Sequence, residues 1–159
     1  MENTDIVLNH KLFNEKLNKI EDDEKTRVFC KHNLSHLMDV ARICYIQCLE
    51  ENLLIDKDLI YVTALLHDLG RADEIDTGIN HNILSVKIAE EILKDLKFDD
   101  KSKSRILNAI KYHRNKIENE DRFVEIFYKS DKLSRMCFRC PANKICNWSS
   151  EKKNRTVIY

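Results

Sequence analysis

Two glycines and one proline in 159 residues are too few to build a sheet from tight hairpins. The favoured two-residue β-turns draw on glycine, asparagine or aspartate, and proline presets many of the remaining turns. With 43% hydrophobic residue types, the chain can still bury one sizeable core. The expectation is all-α: a single-domain bundle of about six main helices. Lys+Arg and Asp+Glu balance at 27 each, so the chain as a whole has no electrostatic attraction for nucleic acid or an anionic membrane. Any hold on an anion must come from a local site. No apolar run approaches the roughly 18 residues of a membrane span, and the N-terminus lacks a basic-then-apolar secretory pattern. A cytoplasmic protein is expected, in which Cys30, Cys44, Cys48, Cys137, Cys140 and Cys146 are reduced thiols, core residues or metal ligands rather than disulfides.

Taken in order, residues 5 to 20 read as one amphipathic helix carrying Ile6, Leu8, Leu12, Phe13, Leu17 and Ile20, with His10 in it and without chemistry. The acidic run Glu21-Asp22-Asp23-Glu24 reads as a solvated connection or a first helical turn. Asn33 or Ser35 can cap a helix running to about Glu51. One face of it holds His36, Val40, Ile43 and Gln47; Cys44 and Cys48, four apart on an apolar stripe, are most simply core. His32 and His36 are also four apart, a spacing able to clamp one metal, although His32 could equally be an outer partner or exposed. Residues 57 to 69 form a helix with Ile60, Thr63, Ala64 and His67 inward. Gly78 and Asn80 mark a turn, and His81 opens a helix with Leu84, Ile88, Ala89, Ile92, Leu93 and Leu96 inward. Ser102 or Ser104 caps another, with Ile106, Ile110 and His113 at i, i+4 and i+7. The last, about 121 to 135, places Val124, Phe127, Tyr128 and Asp131 on one side.

The stretch Ala64-Leu65-Leu66-His67-Asp68-Leu69-Gly70-Arg71 runs an apolar helix straight into adjacent histidine and aspartate. Neighbouring helical side chains diverge by about 100°, so the two cannot face each other, yet they can share a metal, or the carboxylate can bridge two. The plain alternative is a partly buried histidine beside a helix stop at Gly70, with Asp68 solvated. The surroundings favour chemistry: His36, His67, His81 or His113, and Asp131 each stand on a helix face that otherwise reads as core. A single histidine there is ordinary, but an unpaired buried carboxylate costs several kcal/mol, and convergence on a divalent cation removes that cost for all of them. Mixed imidazole and carboxylate ligands suit iron, manganese, nickel or zinc.

The order His36…His67-Asp68…Asp131 resembles the HD superfamily of metal-dependent phosphohydrolases. His36 is followed by Val40-Ala41, the doublet sits in Leu65-Leu66-His67-Asp68-Leu69-Gly70, and the last aspartate in Tyr128-Lys129-Ser130-Asp131-Lys132-Leu133. His81-Asn82-Ile83-Leu84-Ser85 and Ile106-Leu107-Asn108-Ala109-Ile110-Lys111-Tyr112-His113 look like the extra histidine motifs of two-metal subgroups, among them the bacterial symmetrical diadenosine-tetraphosphate hydrolases with their di-iron centre. The resemblance implies one ion on His36, His67, Asp68 and Asp131 and a second on His81 and His113, with Asp68 bridging. Two divalent ions, two aspartates and four neutral histidines leave a charge of about +2, ready for a phosphate. It also implies hydrolysis of a nucleotide, dinucleoside polyphosphate or other small phosphorylated metabolite by a metal-bridged hydroxide. The rival is a non-catalytic metal- or nucleotide-binding sensor.

Arg71 occupies the place where some relatives carry a phosphate-approaching lysine, and a guanidinium fork suits two phosphate oxygens; the alternative is a solvated arginine past a helix end. Arg114, Lys132 and Arg135 are weaker candidates. Residues 1–136 read as the metal-binding domain and 137–159 as a tail packed on it. That tail holds Cys137-x2-Cys140-x5-Cys146 beside Phe138 and Trp148. Three thiols so spaced suit zinc or an iron–sulfur cluster, with Cys30 or a histidine as a fourth ligand if the fold brings one in; reduced thiols under Trp148 are the alternative. The tail departs from the dinucleotide hydrolases and looks like one in uncharacterised HD proteins of anaerobic bacteria.

Overall fold

The computed structural model describes residues 1–115 and 120–159, and among them all regular structure is helical. Eight α-helices follow in order: α1 (Glu2–Asn9), α2 (Lys11–Asp23), α3 (Leu34–Glu50), α4 (Lys57–Leu66), α5 (Arg71–Thr77), α6 (His81–Ile92), α7 (Asp100–Tyr112) and α8 (Arg122–Leu133). Short 3-10 turns follow α6 (Leu93–Asp95) and α8 (Cys137–Arg139). No helix among the described residues is long and apolar enough to cross a membrane.

α4 is the axis of the bundle. Every residue from Leu59 to Leu66 is buried, so this helix is apolar all round, as a helix must be when neighbours cover all its sides. α1, α3 and α7 pack directly against it, and α8 closes the layer against α3 and α7. Phe13, Leu37, Ile60, Leu65, Ile92, Ile106, Phe123 and Phe127 fill the interior. Asp58, in the first turn of α4, accepts from the amides of Asn3 (2.9 Å) and Thr4 (2.8 Å). One carboxylate therefore serves the N-termini of both α1 and α4, where partial positive charge accumulates.

The expected single helix over 5 to 20 is two. His10 takes an extended conformation (φ −71°, ψ 131°) and its Nδ1 accepts from the Leu12 amide at 3.2 Å, capping α2. The apolar period runs on across this break because both helices face the same core. Asn33 caps α3, as its position allowed. Asp99, rather than Ser102 or Ser104, caps α7. Cys44 and Cys48 are core residues.

Gly70 is not the helix stop of the plain alternative reading. Its φ of −65° is ordinary and it opens α5. A Cβ there would lie 2.2 Å from the His81 carbonyl and 2.5 Å from the Ser85 amide nitrogen. The residue is glycine because the first turn of α6 presses on it, and the Gly70 amide donates to Ser85 Oγ at 2.8 Å. That contact sets His81 beside the His67-Asp68 turn. Gly78 does take a left-handed conformation (φ 68°) and ends α5.

Candidate metal centre

All six sequence-predicted ligands come from helix ends and converge beneath the surface. His36 sits in the first turn of α3, His67 and Asp68 in the turn leaving α4, His81 at the start of α6, His113 just past α7, and Asp131 near the end of α8. Each is buried. Ligand atoms of His36, His67, Asp68 and Asp131 lie within 4.8 Å of one another, as do those of Asp68, His81 and His113.

Asp68 belongs to both groups, and its two oxygens divide the work. Oδ2 faces His67 Nε2 (3.2 Å) and His36 Nε2 (3.5 Å). Oδ1 faces His81 Nε2 and His113 Nε2, both at 3.5 Å. Asp131 Oδ1 completes the first group, 3.4 Å from His36 Nε2 and 3.9 Å from His67 Nε2. The expectation that the adjacent pair cannot face each other does not hold, because His67 and Asp68 lie in the turn past α4 rather than within the helix: their tips approach to 3.2 Å, and Asp68 reaches between the two groups.

The tautomers follow from the outer hydrogen bonds. His67 Nδ1 donates to the Ala64 carbonyl (2.7 Å) and His113 Nδ1 to the Ile110 carbonyl (2.6 Å). His81 Nδ1 donates to Glu74 Oε1 (3.0 Å), and His36 Nδ1 to Ser134 Oγ (3.1 Å), whose own proton goes to the Asp131 carbonyl (2.7 Å). In every neutral ring the Nε2 lone pair is thereby aimed at the centre, the orientation that metal-binding imidazoles require. Two features fit a cation and little else. His67 Nε2 is buried without a hydrogen-bond partner among the described residues. His81 Nε2 and His113 Nε2 stand 3.2 Å apart with their protons committed on the far side, so two lone pairs face each other, met only by a long contact from Arg71 Nη2 to His81 Nε2 (3.4 Å). Burial, aided by Arg71, pushes the His81 imidazole down to about 4, so protonation does not relieve that contact near neutral pH.

Burial would raise the Asp68 carboxyl, but the surrounding His67, Arg71 and His32 hold it well below the usual range. Asp131 is likewise driven up by burial and held well below the usual range by the His36 imidazole beside it and by Lys132 and Arg135. Both are carboxylates at any ordinary pH. Cationic side chains already attend them: Arg71 Nε donates to Asp68 Oδ1 at 2.9 Å, Lys132 Nζ lies 2.5 Å from Asp131 Oδ2, and Arg135 Nη2 donates to His36 Nε2 at 3.0 Å. Arg71 is thus partly buried within the centre rather than solvated beyond it.

Three residues of the centre were not singled out in the sequence. Glu24, from the acidic run, is buried and accepts from the His32 amide (2.7 Å) and ring Nδ1 (2.6 Å). That bond aims His32 Nε2 at Asp68 Oδ2, 3.9 Å away, so His32 is an inner residue and not an exposed one. Glu74 and Ser134 orient His81 and His36. Such outer partners typically contribute 10–100-fold to metal affinity. For Glu74→Gln, titration of the metal-free protein with Mn(II) is expected to show about that weakening for one ion and little for the other.

Beside the His81–His113 group opens a cavity of about 680 Å³. Arg71, Arg114, Lys129, Lys132 and Lys152 line it against three carboxylates, and Tyr128 and Trp148 give it aromatic walls.

The comparisons with known proteins agree with this geometry. The HD domain model matches residues 33–136, a span that holds all six converging residues. The chain belongs to the HD-domain family. A Clostridium beijerinckii protein described as uncharacterized is 39% identical over all 159 residues, with both chains covered completely. A crystal structure titled as a predicted HD superfamily hydrolase, from an uncultured Thermotogales bacterium, superposes with a TM-score of 0.66 at 20% identity, over 90% of this chain and 79% of that one. At that identity the likeness speaks for the HD fold, which the eight helices reproduce.

Proposed function

We propose that this HD protein is a metal-dependent phosphohydrolase acting on a nucleotide, a dinucleoside polyphosphate or another small phosphorylated metabolite. The observation that carries the reading is Asp68, which offers one oxygen to each of two groups of inward-aimed imidazoles at the floor of a cationic cavity. The proposed ligands are His36, His67, Asp68 and Asp131 for one divalent ion and Asp68, His81 and His113 for another, with iron favoured and manganese, nickel or zinc compatible with the same donors. Two ions so held would make a water nucleophilic at neutral pH and offset the charge that develops on a phosphoryl group. The chain's own residues do the rest. Arg71 is 2.9 Å from Asp68 and also lines the cavity, so its fork can exchange a carboxylate oxygen for phosphate oxygens. Lys132 and Arg114 border the same space and add positive charge, while Tyr128 and Trp148 offer flat faces to a base. Residues 1–136 act as the metal-binding domain, and 137–159 as a tail that completes the cavity wall through Trp148.

The test is an anaerobic panel of dinucleoside polyphosphates and nucleoside phosphates with Fe(II), Mn(II) and Co(II). Metal-dependent hydrolysis that disappears in His67→Ala is expected, read as inorganic phosphate from nucleoside phosphates and as two nucleotide products, resolved by chromatography, from dinucleoside polyphosphates. Tight nucleotide binding without turnover under any metal would replace the enzyme with a sensor.

A further inference from the structure

The fold brings a fourth thiol to the cysteine tail. Cys30 lies in the irregular segment before α3, more than a hundred residues from Cys137, yet both border one cavity of about 360 Å³ together with Cys140. Arg135 ties the two segments: its Nη1 donates to the Lys31 carbonyl at 3.0 Å, and Arg27 Nε donates to the Cys30 carbonyl at 2.9 Å. Burial raises the Cys30 thiol, Arg135 opposes that, and the thiols of Cys137, Cys140 and Cys146 are near enough to add to the rise. These cysteines differ from Cys44 and Cys48, which fill an apolar helix stripe. None of these four lies on an α-helix: Cys137 opens the 3-10 turn and is buried, whereas Cys30, Cys140 and Cys146 stand on irregular backbone and are half-buried.

From this convergence we infer that Cys30, Cys137, Cys140 and Cys146 form a four-thiolate centre for a thiophilic metal, separate from the histidine–aspartate centre. Four thiols lose four protons on binding; a divalent ion, or an iron–sulfur cluster of the same net charge, then leaves the site near −2. The surroundings suit that charge, because Lys31, Arg135 and Arg139 border the cavity against the single carboxylate of Asp39. The sulfurs are not yet gathered, since no three thiols among the described residues lie within 4.8 Å of one another. The turn that must close on the ion, Pro141 to Cys146, contains exposed Lys144 and Ile145 and no helix or strand.

A centre there also explains how the tail keeps its place. From Met136 onward it has only one three-residue 3-10 turn, and Met136, Ile145, Val157 and Ile158 are exposed. Asn154 holds part of it by donating to the carbonyls of Lys132 and Arg135 (both 2.8 Å). Ordering so irregular a segment is entropically unfavourable, and a metal crosslink to Cys30 offsets that. Trp148 follows Cys146 by two residues and walls the phosphate cavity, so the centre would fix one side of that cavity. This last consequence rests on the phosphohydrolase reading; the centre itself does not.

The experiment uses full-length protein purified anaerobically, carrying Asp68→Asn so that remaining metal reports the thiols. Metal analysis is expected to find one centre per chain, lost on adding Cys30→Ser or Cys140→Ser and kept on adding Cys44→Ser. Acid-labile sulfide with visible charge-transfer absorption identifies an iron–sulfur cluster; colourless protein containing zinc identifies a single ion. Cobalt added to the metal-free protein should give a thiolate-to-cobalt band that requires Cys30. The inference is overturned if Cys30→Ser leaves the metal content unchanged, or if the Asp68→Asn protein holds no metal and cobalt gives no such band. With Asp68 intact, Cys30→Ser should raise KM with little change in kcat. A failure confined to that last measurement would count against the phosphohydrolase reading and leave the centre standing.

Discussion

Asp68→Asn is expected to abolish both metal sites at once and to lower kcat/KM by about 10³-fold or more, equivalent to about 4 kcal/mol of transition-state stabilisation. The amide keeps the shape but loses the charge, and its nitrogen cannot ligate a cation. Because Oδ1 and Oδ2 face different histidine pairs, no other carboxylate among the described residues is placed to serve both groups. Two bound cations would also lose the anion that screens their repulsion. Far-ultraviolet circular dichroism should be unchanged, since Asp68 lies in a turn past α4 and the apolar packing of Leu59 to Leu66 is untouched. Metal content measured alongside activity checks the claim. An Asp68→Asn protein that retains two histidine-bound ions would refute the bridging role.

Much of this centre was legible in the sequence because metal-binding residue types are conspicuous on apolar faces. His36, His67 and Asp131 stand among Val40, Ala64 and Phe127, where burial without a partner would be unfavourable, and the helical period says which way they point. The parts that were not legible look ordinary out of context. Glu24 closes an acidic run indistinguishable from a solvated one; only the fold shows it buried against His32. Glu74 sits in α5, a seven-residue helix with one buried residue, Ala72, and an exposed Ile75, so it presents no apolar stripe to find. Gly70 is a steric requirement set by α6, and nothing local separates that from a helix stop. The break at His10 was hidden because α1 and α2 share a core. Cys30 was one of two kinds of fourth ligand the sequence left open, and choosing it needed the long-range meeting of the segment before α3 with the chain leaving α8. In each case the missing information is tertiary, and the residue carries no local preference that betrays it.

The split of the centre into two halves gives the second large effect. His81 and His113 face the Oδ1 side of Asp68, whereas His36 and His67 face Oδ2, with Asp131 beside those two imidazoles. His81→Ala should therefore remove one histidine-bound ion per chain and leave the other, with activity down about 10²-fold or more as one of two charges on the phosphoryl group is lost. Its ring is not needed for the core: His81 is the first residue of α6, and the helix is anchored by Leu84, Ile88 and Ile92 instead. His36→Ala should do the converse, releasing the ion on the Oδ2 side and leaving Arg135 without its imidazole acceptor. If metal analysis of the Cys30→Ser protein gives one ion per chain, and His81→Ala does not change that number, the centre holds a single ion on His36, His67, Asp68 and Asp131.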